Sequence, residues 1–119
     1  MKVVYVAGPY RGPDSWAIAE NIRKAERLAL EVWAMDAAAL CPHANTAHFQ
    51  GALPDEVWLI GDLVMLERCD AMIVVQPWTH SKGTLAEIEH AQRKGIPVFQ
   101  DLGGLREWLE WQQALAEAK

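Results

Sequence analysis

An α/β fold with helices on both faces of a small parallel sheet is predicted by three observations. Short apolar runs at Lys2–Ala7, Ala71–Val75 and Ile96–Gln100 are too continuous for strands with one wet face; parallel strands, covered on both sides, read this way. Between the runs lie longer segments with helical apolar spacing. Glycine and proline stand at the junctions, as in Gly8-Pro9 and Gly95. Alternation of this kind gives βαβ units with right-handed crossovers, and the length of 119 residues fits one domain over residues 1–119. The expected arrangement is a flavodoxin-like (Rossmann-like) three-layer sandwich with four or five parallel strands.

Each element has its own signal. Lys2–Ala7 is β-branched and aromatic, and Gly8-Pro9 ends it. Ser15 to about Met35 places Ile22, Ala25, Ala29 and Val32 on one stripe, with Arg23, Lys24, Arg27 and Glu31 off it and Asp14 or Ser15 as cap. Ala38–Cys41 is a second, weakly marked strand, and 42–53 a loop rich in His, Asn and Gly. Pro54 suits the first turn of a helix running to about Arg68. After the strand Ala71–Val75 and a loop over Gln76–Ser81, a helix runs from about Gly83 to Lys94 and stops at Gly95. Ile96–Gln100 is the last strand and Leu105–Ala118 the last helix.

Composition narrows the class. Eleven Lys and Arg against sixteen Asp and Glu give a net charge of −5, which argues against duplex nucleic acid as a partner. No apolar stretch approaches the roughly 20 residues of a membrane helix, and no secretory signal precedes the first strand, so a cytoplasmic protein with Cys41 and Cys69 reduced is expected. Six tryptophans are many for this size. Core packing accounts for some of them, and a homodimer or higher homo-oligomer would account for the rest. Trp108 and Trp111, with the Leu105/Leu109 row, fit either a core lid or a dimer surface.

Chemistry concentrates where strands give way to helices. Gly8-Pro9-Tyr10-Arg11-Gly12 follows the first strand. Its glycines allow close backbone approach to a ligand, and Arg11 offers a planar fork for an anion; the bland alternative is a plain turn with a solvated arginine. The spacing is neither a dinucleotide fingerprint nor a P-loop. Ser81-Lys82-Gly83-Thr84-Leu85-Ala86-Glu87 opens the third long helix, where Ser81 or Thr84 caps and Glu87 sits in the first turn or so. Glu89 lies about 200° around the helix from Glu87, so one of the two faces a site, while Leu85, Ile88 and Gln92 form a separate core-facing row. On its own Glu87 also reads as an ordinary capping-type glutamate.

Asp62 has apolar helical neighbours at Trp58, Met65 and Leu66. A carboxylate there is either buried with a partner or aimed into a pocket, where desolvation raises its pKa and suits it to give a proton. Asp70, opening the next strand, reads as structural. Cys41, His43 and His48 match no zinc spacing, and no His-x-Glu with Cys-x-x-Cys is present, so neither a metal nor another cofactor is expected. His43 and Asn45 fit a substrate loop, as do Trp78 and His80 in the loop over 76–81.

Together these segments resemble the nucleoside 2-deoxyribosyltransferase superfamily, which includes the 2'-deoxynucleoside 5'-monophosphate N-glycosidases. Val4-Tyr5-Val6-Ala7-Gly8-Pro9-Tyr10-Arg11-Gly12 resembles its opening strand and loop. Asp62-Leu63 with Leu66 and Asp70 is similar to its Asp-Leu-x-x-Leu-x-x-x-Asp segment, and Ser81-x-Gly83 leading to Glu87-Ile88-x-x-Ala91 to its nucleophile segment. The likeness runs over about residues 3 to 100. It implies cleavage or transfer at an N-glycosidic bond through a glycosyl–glutamate intermediate on Glu87. Tyr5 would orient that carboxylate and Asp62 would serve the departing base. Gly8, Tyr10, Arg11, Gly12, Ser81 and Gly83, with His43, Asn45 and Trp78, would bind a nucleotide or nucleoside, and Arg11, Gly12 and Ser81 its 5'-phosphate. Pro9 stands where the monophosphate hydrolases carry a small hydroxyl residue and resembles the transferase branch instead. A module that binds a nucleotide without turnover, or a glycohydrolase acting on NAD, would use the same pocket.

Overall fold

The computed structural model describes residues 1–118. The elements run β1 (Val3–Ala7), α1 (Ser15–Trp33), β2 (Ala38–Leu40), α2 (Pro42–Asn45), α3 (Asp55–Glu67), β3 (Ala71–Val74), α4 (Lys82–Arg93), β4 (Val98–Phe99) and α5 (Leu102–Glu117). The four strands form one all-parallel sheet in the order β2-β1-β3-β4. This is the flavodoxin-like order, with β1 and β3 central.

The period of two along each strand divides the core between the faces. Val4 and Val6 of β1, with Ala71 and Ile73 of β3, turn toward Ala25, Ala29 and Val32 of α1 and Leu105 of α5. Tyr5 and Ala7, with Met72 and Val74, turn the other way, toward Leu66 of α3 and Ala91 of α4. Because Val4 pairs with Ala71 and Ala7 with Val74, residues of the two strands meet their own kind across the ladder. Gly8 closes β1 where a side chain has no room: an added Cβ would lie 2.7 Å from that of Val75. The carboxyl ends of β1 and β3 are thereby held close, and the two chains then part to opposite layers.

The caps explain most of the boundaries. Asp14 caps α1 by accepting the Ala17 N–H at 2.8 Å, and Gly95 ends α4 with φ +72°. Pro54 occupies the cap of α3, one place before the first turn, with Asp55 as first helical residue. Pro42 opens the short α2 inside the segment expected to be loop. Helix α5 begins three residues earlier than its apolar pattern suggests, since Asp101 accepts the Gly104 N–H at 2.8 Å and holds the two glycines helical. Strand β4 is shorter than its apolar run: the Ile96 N–H bonds back to Ala91, and Pro97 has no N–H to give.

One side-chain expectation is corrected, and one left open between two places is narrowed. On α4 the inward row is Thr84, Ile88 and Ala91, whereas Leu85 and Gln92 are exposed. The hydroxyl of Thr84 donates to the capping Ser81 Oγ at 2.8 Å, which lets a polar residue take the buried place. On α5, Leu105, Trp108 and Leu109 lie against the sheet as a lid, with Trp108 tilted on Phe99 at 5.7 Å, and Trp111 faces outward. Asp70 accepts the Val3 N–H at 2.8 Å and so serves the start of the sheet, as expected. No helix among the described residues is long and apolar enough to cross a membrane.

Candidate active site

A cavity of about 920 Å³ opens at the carboxyl ends of β1 and β3. Here the chain order reverses across the sheet, the place where open α/β folds seat ligands. Its walls come from the loop after β1, the first half of α1, α2 and the segment after it, α3, and the loop leading into α4.

Glu87 lies at the buried end of this cavity. The Tyr5 hydroxyl, fully buried in the centre of β1, donates to Glu87 Oε2. Glu87 Oε1 has no hydrogen-bond donor among the described residues. Desolvation raises the Glu87 pKa to about 7; the Tyr5 bond opposes the rise, and the charge of Asp62 adds to it. Burial, then the charges of Glu87 and Asp62, push the Tyr5 phenol far above its ordinary range, so it remains a donor at any physiological pH. Asp62, facing the same cavity from α3, is raised to about 6 by desolvation alone. Among the described residues it forms no ion pair. Of the two readings of Asp62, the pocket-facing one therefore describes its place.

The loop after β1 is fixed by side chains rather than by regular structure. His43 of α2 directs Nε2 at the carbonyls of Gly8 (2.8 Å) and Pro9 (3.2 Å), so that nitrogen carries the proton. Burial lowers the His43 pKa, and those two carbonyls oppose the effect. Asn21 donates to the carbonyls of Tyr10 (3.1 Å) and Arg11 (3.2 Å). Tyr10 meets the His43 ring edge-on at 5.2 Å and donates to Gln50 at 3.3 Å. Arg11 is exposed at the mouth and pairs with Asp55, the first residue of α3.

Most of the sequence-derived candidates meet at this cavity: Gly8, Tyr10, Arg11, His43, Asp62, Ser81, Gly83 and Glu87 line it, and Tyr5 touches Glu87 from beneath. Ser81 caps α4, its Oγ accepting from Thr84 N at 3.2 Å. Three candidates stand elsewhere. Gly12 packs on α1, where an added Cβ would come 2.5 Å from Ala17 Cβ, so its smallness serves packing. Asn45 lines a separate shallow groove with Trp33, Leu40 and Met65, because the turn of α2 that points His43 inward carries it outward. Trp78 packs over the core beside α3 and α4, its indole N–H buried without a partner among the described residues. His80, by contrast, does line the cavity.

Sequence reasoning missed Asn21, Lys24, Asp55 and Trp58, which all line the cavity. Asn21 carried a weak signal, a lone amide beside Ile22 on an otherwise charged helix surface. Lys24 read as part of the solvent face, and Asp55 as a first-turn acid. Trp58 was seen as an apolar neighbour of Asp62; its buried indole N–H also lacks a partner among the described residues. No group of three or more His, Cys, Asp or Glu gathers as a metal-binding cluster among the described residues.

Comparison with known proteins places the chain. Residues 2–101 match a family described as a domain of unknown function, DUF7768. The chain belongs to that family. No curated protein matches it. Among solved structures, the 2-deoxyribosyltransferase of the psychrotolerant bacterium Bacillus psychrosaccharolyticus, a biocatalyst for nucleoside synthesis, is similar with a TM-score of 0.59. Identity is 17%, and the match covers 81% of this chain and 69% of that one. At that identity the likeness establishes a shared fold.

Proposed function

We propose that this DUF7768 protein cleaves or transfers at the N-glycosidic bond of a nucleoside or nucleoside 5'-monophosphate, with Glu87 as nucleophile. The observation that carries the reading is the Tyr5–Glu87 hydrogen bond at the closed end of the cavity, with Asp62 facing the same space. One carboxylate oxygen is fixed by a phenol that cannot itself ionise, which leaves Oε1 to attack.

In the first half-reaction Glu87 Oε1 bonds to the anomeric carbon. The carbon–nitrogen bond breaks, its electron pair leaves with the base, and Asp62 supplies the proton that neutralises the base. In the second, water or another base attacks the same carbon and releases the Glu87 carboxylate, and the proton returns to Asp62. Two carboxyls near pKa 6 and 7 share one proton over a narrow window; the higher Glu87 value puts that proton mainly on Glu87, so the reactive form, Glu87 ionised and Asp62 protonated, is the minor tautomer of the pair. The exposed Arg11–Asp55 pair contributes about 0–1 kcal/mol, so a substrate phosphate can displace Asp55 from Arg11 at small cost. Ser81 stands beside the same mouth. A homo-oligomer in the cytoplasm remains part of the proposal; the exposed Trp16, Trp33 and Trp111 support the oligomer.

The deciding experiment is chromatographic detection of free base from a panel of ribo- and 2'-deoxynucleosides and their 5'-monophosphates, alone and with a second base as acceptor. Release by the wild type and its loss in Glu87→Ala is the expected result. Release from no member of the panel overturns the reading. Tight binding without turnover, unchanged in Glu87→Gln, identifies a non-catalytic nucleotide-binding module.

A further inference from the structure

The cavity is lined by more cationic side chains than one phosphate uses. Although the chain carries a net charge of −5, three cations line this space: Arg11, Lys24 and Lys82. Arg11 is paired with Asp55, whereas Lys24 and Lys82 enter no ion pair among the described residues. They come from opposite layers of the sandwich. Lys24 lies one turn beyond Asn21 on α1, and Asn21 holds the carbonyl of Arg11, so this ammonium flanks the arginine side of the mouth. Lys82 opens α4 directly after Ser81 and flanks the other side. The carboxyls deeper in the cavity, Asp62 and Glu87, do not cancel this charge fully near neutrality, since burial favours their protonated forms.

Size agrees with charge. At about 920 Å³ the cavity sits near the top of the roughly 300–1,000 Å³ range of small-molecule sites, above what a compact nucleoside monophosphate requires. With the sugar at Glu87 and a first phosphate at Arg11 and Ser81, Lys24 and Lys82 are the cations of the lining that such a ligand leaves unused. We infer that the ligand is a nucleotide with a phosphate chain of two or three groups, whose outer phosphates are held between Lys24 and Lys82. This rests on the reading of the cavity as a nucleotide site.

The test is calorimetric titration of the Glu87→Gln chain, which leaves the ligand intact, with each 2'-deoxynucleoside and its 5'-mono-, di- and triphosphate at low salt in EDTA. Triphosphates are expected to bind about tenfold or more tighter than monophosphates, as one charge-assisted contact gains. Lys24→Gln combined with Lys82→Gln is expected to bring the triphosphate down to the monophosphate level, with monophosphate affinity held within about threefold. Both lysines are exposed, and an unchanged melting temperature verifies folding. Equal binding of mono- and triphosphates, or an equal loss for every ligand in the double variant, overturns the inference. Graded phosphate binding with no base release from any substrate sinks the glycosidase reading and leaves this one standing. Base release from monophosphates with flat binding does the reverse.

Discussion

The closed end of the cavity and its mouth are built on opposite physical terms. At the closed end Tyr5, Glu87 and Asp62 are withdrawn from water, hydrogen-bonded or facing one another, with their proton affinities shifted upward. At the mouth Arg11, Asp55, Lys24 and Lys82 reach solvent, which screens their charges. Three groups act strongly in the first place, and four act weakly in the second. The difference teaches where substitution should matter: chemistry belongs to the closed end and ligand choice to the mouth.

The sharpest way to break this contrast is Glu87→Gln, which preserves an acceptor for Tyr5 and removes the nucleophile. Turnover is expected to fall by at least about a thousandfold while the fold persists, read by base release and circular dichroism. Asp62→Asn comes next, with a loss of roughly a hundredfold or more in kcat. It also changes the pH profile. Wild type should show a bell with limbs near 6 and 7, since only the singly protonated pair is active. The variant should lose the falling limb and rise to a plateau, its one limb lying below about 7 because the Asp62 charge no longer raises the Glu87 pKa. A bell that survives Asp62→Asn would assign the acid to another residue.

Tyr5→Phe deletes the one bond that holds the Glu87 pKa down, so the rising limb should move to higher pH, with kcat reduced about tenfold. An unmoved limb would show that the phenol does not act on Glu87.

Stability gives a further comparison. The folded pKa of Glu87 is raised from 4.5 to about 7. Its contribution is therefore complete below the unfolded value and is lost as pH rises through about 7. Glu87→Gln should consequently gain stability over wild type at pH 8 and little at pH 4, by up to about 2–3 kcal/mol. Denaturant melts at the two pH values measure it, and an equal gain at both would remove the buried-charge explanation. Smallest of all is Asp55→Ala at the mouth, expected to change stability by less than about 1 kcal/mol while freeing Arg11 and tightening phosphorylated ligands. Weaker phosphate binding in that variant would reverse the role given to Asp55.

The amino-acid sequence alone determined the layered α/β architecture and the strand-to-helix junctions that carry the candidate residues. Both follow from local causes: period two in β1 and β3, period 3.6 in α1, and the breaks at Gly8 and Gly95. It also singled out Tyr5, Asp62 and Glu87 as a set through resemblance, although their own helices and strand offered an ordinary reading of each. Only the tertiary structure decided which side chains share one space. Lys24 joins the site because α1 passes the loop after β1, and Asn45 leaves it because α2 is a single turn that sends His43 inward and Asn45 outward. Such placements depend on how elements pack, and helical spacing says which residues share a face without saying what that face meets. The same limit applies to charge: Arg11 and Asp55 lie 44 positions apart, so no local pattern could pair them.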